Sequence, residues 1–186
     1  MTPLAGALGA EISGVDMAQP LGNQLFQEVH DALIENQVIF FRDQDITPAQ
    51  HVDFARQFGT LQVHPLVPHL DNHPEVLVLE SKDEKRNAAN AWHSDLTFSE
   101  EPPLGSILLA RTVPERGGDT IWADMYAAYE ALSPAMKRYL EGMTAIHHAG
   151  GAQFEKTQGK DDARGGEVKE IKQEIAPAEH PVVRTH

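Results

Sequence analysis

The sequence contains no cysteine. That excludes a disulfide scaffold, thiolate metal sites and a cysteine nucleophile, and it fits a reducing compartment. Long apolar runs are also missing. None approaches the length of a membrane span. The opening Met1-Thr2-Pro3-Leu4 lacks the basic and apolar regions of a secretory signal. Together these lead to the expectation of a cytoplasmic protein with no membrane partner. Basic residues are scarce as well: 15 Lys and Arg face 28 Asp and Glu, a formal net charge of −13. Such a field disfavours nucleic acid and anionic membranes. A small anionic substrate would need a local basic pocket working against it.

What is present suffices for one domain with a real core, since 186 residues can bury a substantial apolar interior. The first 21 residues read as short strands broken by Gly6, Gly9 and Gly14. Asn23 offers a helix cap, and Leu25, Val29 and Leu33 recur at four-residue steps with Phe26 beside them. Asn36 ends that helix, and Val38-Ile39-Phe40-Phe41 follows as a buried-strand candidate. Thr47-Pro48-Ala49-Gln50 is a capping box with proline at the first helical position. Val52, Ala55 and Phe58 supply that helix's expected buried face, with Gly59 as its stop.

Two prolines make residues 64–69 an irregular loop. Val76-Leu77-Val78-Leu79, residues 106–110 and residues 120–123 read as further strands, the last two joined by a tight loop through Gly117-Gly118. Asp124 and Ser133-Pro134 start two helices, the second stopping at Gly142. Residues 143–147 are another strand candidate. Residues 149–175 turn polar and glycine-rich, the composition of a lid or mobile insertion. Strands outnumber helices, which points to a sheet-based core with flanking helices, mainly β in an α+β sense. Periodicity alone leaves a barrel, a sandwich and an α+β sheet all open.

The chemistry concentrates at Ala91-Trp92-His93-Ser94-Asp95-Leu96-Thr97-Phe98. On an extended strand, side chains at i and i+2 share a face, so His93 and Asp95 would lie side by side. An imidazole and a carboxylate so placed can bind a divalent transition metal; one more histidine would complete the facial triad of a non-haem Fe(II) oxygenase. Alone, His-x-Asp is a common pattern, and a solvated or hydrogen-bonded pair is its ordinary reading. Trp92 and Trp122 are expected in the core or a pocket wall.

The stretches around that motif resemble the TauD/TfdA family of Fe(II)- and 2-oxoglutarate-dependent dioxygenases. Leu8-Gly9-Ala10-Glu11-Ile12-Ser13-Gly14-Val15-Asp16, Gln37-Val38-Ile39-Phe40-Phe41-Arg42-Asp43-Gln44 and Phe54-Ala55-Arg56-Gln57-Phe58-Gly59 carry the resemblance before it. Gly117-Gly118-Asp119-Thr120 and His180-Pro181-Val182-Val183-Arg184-Thr185-His186 carry it after. They follow the family's order across nearly the whole chain. The resemblance implies a double-stranded β-helix, the jelly roll. It implies Fe(II) held by His93 and Asp95, with 2-oxoglutarate and O2 as cosubstrates and Thr120 against the 2-oxoglutarate carboxylate. Around the substrate, His64, Asn90 and Phe154 are the candidate residues.

In that family the distal histidine ligand and the arginine that pairs with 2-oxoglutarate lie downstream of the stretch ending at His186. The chain is therefore expected to be the N-terminal portion of one such domain, lacking the C-terminal strands. His147, His148, His180 and His186 do not occupy the distal position. Unpaired sheet edges would then favour self-association, giving a homo-oligomer. Taurine enzymes of the family carry Tyr where Val67 stands, and Asn where Ala89 stands. A more apolar pocket suits alkyl sulfates or aryloxyalkanoates better than taurine, with a sulfonate still among the candidate substrates. Two readings follow: a dioxygenase hydroxylating a small anionic compound with release of succinate and CO2, or a truncated, non-catalytic remnant.

Overall fold

The computed structural model describes residues 1–65, 67–79, 92–149 and 175–185. Among them the architecture is mixed α/β, with three small sheets and four helices. The chain divides into two compact units. One comprises Met1–Val63, His69–Val76 and Ile107–Ser133; the other comprises His64–Pro68, Leu77–Ser106 and Pro134–His186. None of the described helices is long and apolar enough to cross a membrane.

In the first unit, β1 (Thr2–Pro3) pairs antiparallel with β2 (Ala10–Ile12), and β2 pairs parallel with β3 (Ile39–Phe41). A parallel pair needs a crossover, and helix α1 (Asn23–Asn36) supplies it. Asn23 is the first helical residue and not its cap; Gly22 holds the cap position without a side-chain bond. The buried face of α1 is Val29 and Ala32, while Leu25 is exposed, so the stripe lies one step round from the expected one.

Helix α2 (Pro48–Arg56) starts as its sequence requires. The Thr47 hydroxyl accepts from the Gln50 backbone N–H, and the Gln50 side chain accepts from the Thr47 N–H at 2.8 Å. Its buried residues are Val52 and Phe54. The core gathers Val15, Met17, Val29, Ile46 and Phe54, with Phe41, Phe58, Ile107 and Leu109 packed against them. Gln44 ties the loops over this core: it accepts from the Met17 N–H at 2.8 Å and donates to the Val15 carbonyl at 3.1 Å.

The strands expected at residues 106–110 and 120–123 are not formed; both segments are irregular. The alternation behind the first is real, since Ile107 and Leu109 face the core while Leu108 is 74 % exposed. A ladder partner is what these segments lack among the described residues. Gly117 and Gly118 both take φ +76°, a conformation L side chains rarely adopt, and form the tight loop before Thr120. Helix α3 (Met125–Glu130) begins where the Asp124 carboxylate accepts from the Ala127 N–H at 2.9 Å. That bond, with smaller help from the Gln37 side chain and the Tyr126 N–H, holds the Asp124 carboxyl below its ordinary range.

A hairpin joins β4 (His69–Leu70) to β5 (His73–Leu77). Strand β5 starts earlier than its apolar run, and Val78 and Leu79 lie outside it, exposed. In the second unit, α4 (Pro134–Leu140) ends before Gly142, which takes φ +73°. Strand β6 (Thr144–His147) then pairs antiparallel with β7 (Ala178–Pro181), with Ala145 opposite His180. Along β7, Ala178 and His180 are buried and alternate with exposed Glu179 and Pro181, the period-two pattern of a half-buried strand. All but the two end residues of the insertion expected over residues 149–175 lie outside the described residues.

Candidate metal centre

Residues 92–94 are irregular and lead directly into a turn over residues 95–98. His93 and Asp95 are therefore not on a strand, yet their side chains do meet: Nε2 of His93 stands 3.4 Å from Oδ1 of Asp95. The other carboxylate oxygen, Oδ2, accepts a hydrogen bond from the Ser106 hydroxyl at 3.2 Å. Both members of the pair are more than half exposed. Trp92 is 69 % exposed, so it belongs to no core; Trp122 is partly covered, its ring edge-on to Phe40 with centroids 5.5 Å apart.

The separation bears on what the pair can hold. Two ligands each about 2.1 Å from one ion, at right angles, lie roughly 3.0 Å apart. At 3.4 Å, His93 and Asp95 are near that spacing and beyond the common length of an N–H···O bond, about 2.9 Å. An imidazole nitrogen and a carboxylate oxygen are also the donor types of a non-haem iron site. The two residues present thus fit part of such a site. No group of three or more His, Asp or Glu suited to a metal occurs among the described residues.

The turn carries backbone strain. Leu96 takes φ +51°, a left-handed conformation uncommon for a bulky residue. The Ser99 N–H closes the turn on the Leu96 carbonyl at 2.9 Å. Two other segments grip it. The His64 ring meets the Phe98 ring edge-on, centroids 6.4 Å apart. Nε2 of His180 lies 2.9 Å from the Ser99 carbonyl oxygen.

Of the residues expected at the site, His64, His93 and Asp95 fall in the same unit, and His64 touches the turn that follows Asp95. Thr120 belongs to the other unit and is exposed in an irregular segment. Asn90 and Phe154 lie outside the described residues. Ser106, Ser99 and His180 were not legible as neighbours of this turn. Ser106 reads only as a strand start, and His180 only as a histidine away from the distal ligand position.

Comparison with known proteins places the chain. The sequence model of the family described as taurine catabolism dioxygenase TauD, TfdA family matches residues 1–186, and the chain belongs to that family. It is 36 % identical to an alkylsulfatase of Acinetobacter baylyi over 188 residues, covering 98 % of this chain and 58 % of that protein. It is 34 % identical to an alpha-ketoglutarate-dependent sulfate ester dioxygenase of Pseudomonas putida, covering 99 % of this chain and 61 % of the relative.

Among solved structures, a taurine dioxygenase from Burkholderia xenovorans superposes with a TM-score of 0.77 at 33 % identity, over 100 % of this chain and 58 % of that one. AAD-2 in complex with Mn(II) and N-oxalylglycine superposes with a TM-score of 0.71 at 28 % identity, over 99 % of this chain and 64 % of that one. The chain thus spans about three-fifths of the length of these relatives.

Proposed function

We propose that the protein is an Fe(II)- and 2-oxoglutarate-dependent dioxygenase that hydroxylates a small anionic organic compound. The observation that carries this reading is the His93–Asp95 pair, 3.4 Å apart, with Ser106 fixing the second carboxylate oxygen. Family membership supports it, as does a relative that holds Mn(II) with N-oxalylglycine, a dicarboxylate of the same length as 2-oxoglutarate. The architecture proposed is the family's double-stranded β-helix.

An Fe(II) ion held by His93 and Asp95 would supply the chemistry by which 2-oxoglutarate is decarboxylated and an oxygen atom enters a substrate C–H bond, the other atom of O2 entering succinate. The chain's own part is placement. His93 and Asp95 would hold the ion, and the Ser106 hydroxyl would keep Asp95 from rotating away. Thr120 is the proposed partner of a 2-oxoglutarate carboxylate on the family resemblance alone, its hydroxyl being the donor it would offer. His64 would offer an imidazole N–H to the anionic group of the substrate, and Asn90 and Phe154 remain the other substrate-side candidates from the sequence.

Val67 is partly buried and stands, by the family resemblance, where the taurine enzymes carry a tyrosine hydroxyl. Together with relatives named as an alkylsulfatase and a sulfate ester dioxygenase, it favours an alkyl sulfate over taurine. Hydroxylation at the carbon bearing the sulfate ester gives a product that breaks down to an aldehyde and inorganic sulfate. The cytoplasm is the proposed location. Association of the protein with further copies is supported by the exposed apolar side chains of Leu108, Val113 and Ile121.

The experiment is succinate release with Fe(II), 2-oxoglutarate and O2, comparing a medium-chain alkyl sulfate, taurine and an aryloxyalkanoate. Alkyl sulfate is expected to give the highest rate, with stoichiometric sulfate. No substrate-dependent succinate with any of the three contradicts the enzyme reading and leaves the non-catalytic remnant.

A further inference from the structure

The turn after Asp95 is held from a distance of 81 residues in sequence. His180 lies on β7, a strand fixed in register against β6, and it is 8 % exposed. A side chain leaving a paired strand is a firmer support than one leaving a loop. Its Nε2 reaches the Ser99 carbonyl at 2.9 Å. A carbonyl oxygen only accepts, so this bond fixes Nε2 as the protonated nitrogen. The His147 ring, on the paired strand β6, lies edge-on to the His180 ring with centroids 5.3 Å apart and restricts its rotation.

What this bond holds is strained. Leu96, at φ +51°, immediately follows Asp95, and residues kept in such conformations persist where the surroundings over-determine them. A hydrogen bond from the Ser99 N–H to the Leu96 carbonyl, at 2.9 Å, closes the turn locally. The His180 bond acts on the same residue, Ser99, from the carbonyl side. Released, the turn would relax toward an ordinary conformation at Leu96, and the Asp95 carboxylate would rotate away from His93.

We propose that His180 is a positioning residue: its Nε2–H, bonded to the Ser99 carbonyl, keeps the strained turn at Leu96 closed and so aims Asp95 at the ion shared with His93. This rests on the reading of His93 and Asp95 as metal ligands. A glutamine side chain places an amide N–H near where the histidine Nε2–H stands; leucine fills similar space without a donor. The two substitutions therefore separate the hydrogen bond from packing.

The test uses the whole chain, unaltered and as His180→Leu, His180→Gln and His93→Ala. Amide exchange of Ser99 reads the turn, and titration with Mn(II), followed by the electron paramagnetic resonance of the free ion, reads the site. In His180→Leu the protection of the Ser99 amide is lost and Mn(II) binding weakens about tenfold; His180→Gln restores both. Unchanged Ser99 exchange in a folded His180→Leu overturns the anchor. Lost protection with unchanged Mn(II) affinity overturns the link from the turn to Asp95. Mn(II) uptake that His93→Ala does not reduce overturns the metal reading itself, a failure distinct from that of the anchor. If His180→Leu loses its fold, the unaltered chain decides through long-range proton–nitrogen correlation of its imidazoles. Nε2 of His180 must be protonated and must shift when Zn(II) is added; an unprotonated or unmoved Nε2 overturns the proposal.

Discussion

Ser106 and His93 take different oxygens of the same carboxylate: Oδ2 of Asp95 accepts from the Ser106 hydroxyl at 3.2 Å, while Oδ1 faces Nε2 of His93 at 3.4 Å. The serine fixes the carboxylate plane, and fixing a ligand's outer atom preserves affinity by preventing its rotation. Ser106→Ala should weaken divalent-metal binding by about tenfold with unfolding unchanged. Calorimetric titration with Mn(II) measures it, and an unaltered affinity would show that Ser106 does not orient Asp95.

Thr47 tests the local encoding of α2. Its hydroxyl and the Gln50 side chain satisfy two helix-end N–H groups reciprocally. Thr47→Ala should cost about 1 kcal/mol, and Thr47→Ser much less. Urea midpoints of the three proteins provide the comparison, and equal midpoints would remove the capping box from the account.

Phe54 carries the core beneath that helix. It is 3 % exposed and meets the Phe41 and Phe58 rings at 5.9 Å and 5.5 Å. Phe54→Ala should destabilise by about 3–5 kcal/mol through lost transfer energy and a residual cavity. Phe54→Leu should cost clearly less. Chemical denaturation ranks them, and an order with leucine as the worse substitution would contradict the packing described.

His51 makes stability depend on pH. Burial lowers its pKa from the ordinary 6.5; the hydrogen bond to the Ile107 carbonyl opposes that, and the Arg111 guanidinium adds to it. The folded protein thus binds this proton less readily than the unfolded chain, so stability rises with pH in this window. The contribution is complete above the unfolded value and is lost progressively as pH falls through about 6.5 toward the folded value. His51→Gln, which keeps an N–H for the Ile107 carbonyl, should flatten the dependence of the urea midpoint between about pH 8 and pH 5. Parallel profiles for the two proteins would assign the dependence elsewhere.

These expectations follow how far each feature depends on neighbours in sequence. The start of α2 was legible because a capping box is four consecutive residues. The pairing of β6 with β7 was half legible: residues 143–147 read as a strand, while its partner, Ala178–Pro181, lies far along the sequence. Residues 106–110 show a strand's alternation without its ladder, because an apolar period records which side faces the core and not whether a partner strand is present. The same holds at residues 120–123, where Ile121 is 69 % exposed. At the candidate metal site, the meeting of His93 with Asp95 was legible from their spacing, although a turn and not a strand brings it about. Ser106 and His180 meet that turn across 11 and 81 residues of sequence, through contacts that no local pattern encodes.

The central claim is that His93 and Asp95 hold the iron. Its most direct test is visible absorption of the protein under anaerobic conditions, first with Fe(II) and then with 2-oxoglutarate. The account predicts a weak charge-transfer band on addition of 2-oxoglutarate, lost in His93→Ala. No band in the unaltered protein, or one that His93→Ala leaves in place, would contradict it.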